Sequence, residues 1–224
     1  MQQNDTQSLR VKKIESDKEL DEAMKMRTKV IQKNKIFNKY TFDEIYSEEE
    51  QRATKNIISE GFGCCALNEQ GEIVSVILAF DLTFEPYKNP EQLTPPQQAI
   101  YKIRNQALAI LKPQKKMQAA WVGYAATNED YRRQGIQGQM ILAACQEGFR
   151  KGIEFSVVHI ISLESYNLAK AVGMKMFGYS ESSDPSDERV YFTGEGNFSK
   201  DMGINALAII DMSKLQDSDS KSKL

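Results

Sequence analysis

Hydrophobic and polar positions alternate from the start of the chain. Residues 9–14 (Leu-Arg-Val-Lys-Lys-Ile) set apolar against charged side chains, which predicts a short half-buried strand. The period then lengthens: Leu20, Ala23, Met24, Arg27, Val30 and Ile31 fall on one helical stripe, and Ser16 with Glu19 predicts a capping box at its start. Ser47 and Glu50 predict a second box, opening a helix that carries Ala53, Ile57 and Ile58 and closes at Gly61. Two apolar, β-branched or aromatic runs, 62–67 and 73–82, flank a turn at 68–71 and read as an antiparallel hairpin.

Residues 83–118 behave differently. Pro86, Pro90, Pro95 and Pro96 interrupt the chain, and Thr94, Pro95 and Gln97 predict a helix start. The stripe Ile100, Ile103, Ala107, Leu108, Leu111 carries that helix to Pro113. The segment reads either as an insertion or lid between two strands or as an ordinary packing helix. From 119 the order is regular. A strand (119–126) precedes a helix (135–151) with the stripe Ile136, Met140, Ile141, Ala144, Cys145 and Phe149. Residues 154–162 are apolar enough for a central, doubly buried strand. A short helix (163–172) ends at Gly173, a strand covers 174–179, and a polar loop (180–188) leads to a strand at 190–193. The last strand covers 204–212. This is a mixed α/β order with one βαβ crossover and antiparallel strands outside it. It predicts a single domain over 8–212 with disordered tails at 1–7 and 213–224.

Composition narrows the chemistry. Lys+Arg 29 against Asp+Glu 31 leaves a net charge of −2, so no global field favours nucleic acid or an acidic membrane surface. The residues of zinc chemistry number four, Cys64, Cys65, Cys145 and His159, with no CxxC pair, and no metal is expected. The odd, low Cys count, together with an N-terminus lacking an apolar core, predicts a reducing, cytoplasmic setting. No run approaches the ~18 apolar residues of a membrane span. One segment stands above background: residues 131–138 (Tyr-Arg-Arg-Gln-Gly-Ile-Gln-Gly), between a strand and a helix start. Backbone amides there would point outward along the helix dipole and suit phosphate oxygens, with Arg132 and Arg133 adding charge. Taken alone, it is equally a Gly-bearing turn with solvated arginines.

The stretch 121–179 resembles the GNAT-type N-acetyltransferase superfamily. The match is to that family's [Q/R]-x-x-G-x-[G/A] signature, here Arg132-Arg133-Gln134-Gly135-Ile136-Gln137. Residues 128–131 (Asn-Glu-Asp-Tyr) fit its strand-then-loop entry, and the helix ending at Gly173-Met174 resembles its second landmark. The resemblance implies a central mixed, mostly antiparallel sheet flanked by helices, with 83–118 as a helical insertion. It also implies acetyl-CoA as co-substrate. The backbone of Ala125, Ala126 and Thr127 would meet the pantetheine arm, which in this family slots between strands that splay after a bulge. Arg132 and the amides of Arg133, Gln134, Gly135, Ile136, Gln137 and Gly138 would hold the pyrophosphate. Two departures stand out. Gln137 occupies a position usually Gly or Ala, and Ala169 one where many members place a Tyr; Ser162 also replaces a common Asn.

Acetyl transfer to an amine needs a deprotonated amine, a polarised carbonyl and a proton for the departing sulfur. Ser165 falls where arylalkylamine-type members often carry a Ser and is the first choice of acid, with Tyr166 second; each equally serves as cap or packing residue. Asp81 and Glu85 at the hairpin end, and Glu164 after the central strand, are the candidate bases. His159 lies in an apolar run and reads as a core histidine. Trp121 and Tyr124 either line an acceptor pocket or pack. The expected activity is acetyl transfer from acetyl-CoA to a primary amine of a small molecule or protein. The rival reading is a weak or inactive GNAT-like module, a binding or structural subunit of a larger assembly, and a binder of another CoA ester needs only the same pyrophosphate site. The expected partners are acetyl-CoA and the amine, without nucleic acid, with homodimer or larger complex left open.

Overall fold

A computed structural model describes residues 9–34, 37–116, 118–160, 167, 169–171, 174–179 and 206–211. The opening alternation forms strand β1 (Arg10–Lys13). Helix α1 (Asp17–Gln32) follows, and the Ser16 hydroxyl accepts from Glu19 N at 3.2 Å. The Glu19 carboxylate accepts from Glu15 N at 2.9 Å and pairs with Lys12. A one-turn helix, α2 (Phe42–Ile45), carries a Thr41–Glu44 capping box. It is too short to show a stripe.

Helix α3 (Glu48–Glu60) begins at the Ser47 cap. Gly61 ends it, but not as a left-handed cap: its φ is −140°. It is needed for close approach, since a Cβ there would sit 2.1 Å from the Ala79 carbonyl oxygen. Gly61 opens β2 (Gly61–Leu67), which pairs antiparallel with β3 (Ile73–Asp81) as the hairpin pattern predicts. The proline-rich segment contains α4 (Pro95–Leu111), opened by a Thr94–Gln97 capping box. Ile103 and Ala107 are buried, and Ile100, Leu108 and Leu111 pack against the same core. The segment is an insertion in chain order and a packing helix in space.

Strand β4 (Ala119–Thr127), helix α5 (Ile136–Arg150) and β5 (Phe155–Ile160) make the βαβ unit, with β4 and β5 parallel. Strands β6 (Lys175–Tyr179) and β7 (Ala206–Asp211) complete a mixed, mostly antiparallel sheet of order β1-β2-β3-β4-β5-β7-β6. The last strand thus lies between β5 and β6, a placement that periodicity does not contain. Residues 167 and 169–171 of the expected short helix are helical. The rest of it, including its expected end at Gly173, lies outside the described residues, as do the loop at 180–188, the strand at 190–193 and the tails.

Each sheet face buries a core. On one side Leu20, Ala23 and Met24 of α1, Ile57 of α3 and Ile103 of α4 meet Leu78, Phe80 and Trp121. On the other, Ile136, Met140, Ala144 and Cys145 of α5 meet Phe62, Ile77 and Val122. Each large apolar side chain fully buried here contributes roughly 1.5–3 kcal/mol. Among the described residues no helix is long and apolar enough to cross a membrane.

Among the described residues, Gly61 at the junction of α3 and β2 makes the tightest backbone approach of any glycine. Gly61→Ala is expected to lower stability by roughly 3 kcal/mol. Gly71→Ala has open space but a φ of +80° and should cost about 1 kcal/mol. Urea midpoints measure both, and equal losses would contradict the close approach.

Candidate active site

The site begins with a fault in the sheet. Strands β4 and β5 are paired from Ala119–Phe155 to Val122–Val158, although β4 continues to Thr127 and β5 to Ile160. The cause lies on the other edge of β4. Its register with β3 runs Leu78–Gly123 and then Val76–Ala126, so Tyr124 and Ala125 together oppose Ile77. Tyr124 takes a φ of +55°, which a non-glycine residue adopts only at a cost of about 1–2 kcal/mol. Such a bulge bends its strand. Past Val122, β4 therefore leaves β5 and opens a wedge whose β5-facing backbone groups have no strand partner among the described residues.

The end of β4 leads into the mouth of this wedge. Residues Glu129–Tyr131 form a single 3-10 turn, and Arg133 and Gly135 take φ values of +63° and +75° to reverse the chain. Gly135 caps α5 with no side chain. The first amides of the helix thus have no partner within it, and they sit at the positive pole of its dipole. A Cβ on Gly135 would meet nothing within 4 Å, so this terminus is open. Arg132 and Arg133 are exposed beside it, Arg132 Nε donating to Thr127 O at 3.3 Å. Gln137 turns toward β4, where its Oε1 accepts from Thr127 Oγ1 at 2.8 Å. Thr127 Oγ1 in turn lies 2.9 Å from Ser75 Oγ. The arrangement suits an anion at the helix terminus and an extended chain along β4.

A third group of residues lies at the bulge, on the face covered by α1, α3 and α4. The Tyr124 hydroxyl is hydrogen-bonded to the Tyr87 hydroxyl, and Tyr87 Oη reaches Glu50 Oε2 at 3.2 Å. Glu50 is buried, with Arg27 Nη1 3.5 Å from its other oxygen. The Arg27 guanidinium also lies over the Tyr124 ring, 4.8 Å from its centroid. Burial raises the Glu50 carboxyl above the ordinary carboxylate range, opposed by the Arg27 charge. Burial likewise holds both tyrosine hydroxyls far above the usual phenol range, with the Glu50 charge adding to it. Sequence reasoning assigned Glu50 to a capping box and passed over Tyr87. The available signal was Arg27, a cation on the buried stripe of α1.

No protein-family model matches the sequence and no curated protein matches it. Solved structures do, and acetyltransferases of the GNAT family are among them. This chain has the GNAT fold. The C-terminal condensation domain of Ebony, in complex with beta-alanyl-dopamine, superposes with a TM-score of 0.65 at 12% identity over 92% of this chain and 99% of that one. Polyamine N-acetyltransferase of Drosophila melanogaster gives 0.59 at 14% identity over 91% and 100%. Salmonella typhimurium yncA, solved with its cofactor acetyl-CoA, gives 0.55 at 7% identity over 92% and 94%.

Within this GNAT fold the residues singled out in the sequence separate by position. Ala125, Ala126, Thr127 and Arg132–Gly138 come together along the wedge and the α5 terminus. Asp81 is completely buried at the other end of the β3–β4 pairing, opposite Ala120, and its Oδ1 accepts from Thr83 N and Thr83 Oγ1, each at 2.8 Å. That engagement stabilises the turn leaving β3. Glu85 is exposed, and its Oε2 accepts from Tyr101 Oη at 2.7 Å and lies 3.5 Å from Arg104 Nη1. Ser162, Glu164, Ser165 and Tyr166 lie outside the described residues. His159 stacks on Trp121 with centroids 6.4 Å apart, and Ala169 is buried in the α5-side core.

The three thiols are buried, and burial pushes each of Cys64, Cys65 and Cys145 up to about 11. At pH 8 roughly one in a thousand would be thiolate. A thiol-specific reagent at that pH should label none within minutes in the folded protein and all three in denaturant. Rapid labelling of the native chain would reinstate a thiol as a nucleophile.

Proposed function

We propose that this chain is an N-acyltransferase that carries an acetyl group from acetyl-CoA to a primary amine of a small molecule or protein. The observation that supports it most is the conjunction of the β4–β5 wedge with the open terminus of α5 at its mouth. A diphosphate fits the amides of residues 133–138, with Arg132 and Arg133 supplying the charge-assisted contacts. An amide-bearing arm fits the free backbone edge at Ala125, Ala126 and Thr127 as an added strand would. When bound, the co-substrate supplies the thioester. The neighbours that include an acetyl-CoA complex and an amine acetyltransferase favour the same pairing of donor and acceptor.

The chain's own contribution is to position, to exclude water and to move protons. The amine attacks the thioester carbonyl directly in a ternary complex, because the thiols are buried and protonated and form no acyl-enzyme. Ser165, with Tyr166 second, is the proposed proton donor to the departing sulfur. Trp121 and Tyr124 border the acceptor side.

Calorimetry with acetyl-CoA tests the reading. The Arg132→Glu, Gly135→Asp variant places negative charge at the helix terminus, where a Cβ has open space but a φ of +75° costs about 1 kcal/mol, and should weaken binding at least about tenfold. Release of CoA should follow on adding an amine from a panel of arylalkylamines, polyamines and lysine peptides. Absence of binding by the unaltered chain, or equal binding by the variant, would overturn the proposal.

A further inference from the structure

With Glu50 ionised beside Arg27, the buried group at the bulge has one internal polarity. A phenol has one proton. An ionised Glu50 only accepts, so in the contact with Glu50 Oε2 it is Tyr87 that donates. Tyr87 then has no proton left for its other contact, and Tyr124 must donate to Tyr87. Tyr124 Oη then keeps an unused lone pair, at a residue that is partly exposed and sits where β4 leaves β5. The hydroxyl chain runs from the apex of the wedge to a carboxylate that water does not reach. Arg27 keeps the far end charged while making no hydrogen bond through Nε or Nη1 among the described residues.

We propose that Tyr124, Tyr87 and Glu50 form a proton relay that deprotonates the acceptor amine, with Tyr124 touching the substrate and Glu50 as terminal acceptor. The proposal rests on the acyl-transfer reading above and names the base that reading lacks. An ammonium N–H proton passes to Tyr124 Oη as the Tyr124 proton passes to Tyr87 Oη and the Tyr87 proton to Glu50 Oε2. A neutral amine and a neutral Glu50 carboxyl group result. The amine then attacks the thioester carbonyl carbon, a C–N bond forms and the C–S bond breaks. The second nitrogen proton ends on the sulfur by way of the hydroxyl donor proposed above, and once the amide has left, the Glu50 proton returns through Tyr87 and Tyr124, with Tyr124 releasing one to water in the emptied site. The raised range of Glu50 suits a group that must hold a proton for part of the cycle. The groups facing Glu50 are Arg27 from α1, Tyr46 after α2, Tyr87 ahead of α4, Gln97 on α4 and Tyr124 on β4.

Tyr87→Phe breaks the relay while keeping the ring, and Glu50→Gln keeps a side chain of the same shape that takes no proton. The assay uses acetyl-CoA and whichever panel amine the unaltered chain turns over fastest. Calorimetric affinity for acetyl-CoA should be unchanged in Tyr87→Phe, which shows the fold and donor site intact. At pH 7 its kcat should fall about 100-fold. Near pH 10, where the alkylamine is already largely neutral, most of that loss should be recovered. If Glu50→Gln folds, it should follow the same pattern. Full kcat of Tyr87→Phe at pH 7, or an equal loss at both pH values, overturns the relay alone. Acetyl-CoA bound by the unaltered chain without CoA release for any amine overturns the acyl-transfer reading and the relay with it.

Discussion

The two-against-one pairing of Tyr124 and Ala125 with Ile77 is the constraint on which the site depends. A regular β4 would stay hydrogen-bonded to β5 along its whole length and leave no backbone edge free. It would also send the Tyr124 side chain in another direction, because a one-residue change of register exchanges the faces of a strand. The positive φ at Tyr124 costs about 1–2 kcal/mol. That cost is offset locally by the buried cation over its ring, a contact worth about 2 kcal/mol when desolvated. The hydroxyl bond to Tyr87 adds to it.

The Arg27–Glu50 pair is the second structural commitment. Both charges are buried, so desolvation opposes their attraction, and apolar residues of equal volume in such positions often hold a fold as well or better. Removing one partner alone is different, since it strands a charge at a cost of about 3–5 kcal/mol. Stability by itself therefore does not explain the pair. Its position, reaching Tyr124 through Tyr87 at the apex of the wedge, supplies a chemical reason.

The terminus of α5 is tied to the same strand. Gln137 replaces the small residue expected from the GNAT signature, and its side chain bonds to Thr127 rather than projecting along the helix axis. The helix start and the strand end are thus hydrogen-bonded, through Thr127, to Ser75 of β3. Substitution at a signature position has here been absorbed by a polar contact, with the amide-bearing end of the helix still uncapped by any side chain.

Local physics made much of this readable in the sequence. The stripes of α1, α3, α4 and α5, the hairpin at 68–71 and the phosphate-suited turn at 131–138 follow from periodicity, caps and glycine placement, because each depends on residues within a few positions of one another. Tertiary structure alone decided the rest. The bulge requires the register between β3 and β4, strands separated by the whole proline-rich insertion, and the insertion of β7 between β5 and β6 has no local signature. Glu50 reads as a capping residue until Arg27, Tyr87 and Tyr124 are brought around it from three other elements. A carboxylate's role is set by what surrounds it in space, and neighbours 23, 37 and 74 residues away leave no trace in the pattern along the chain.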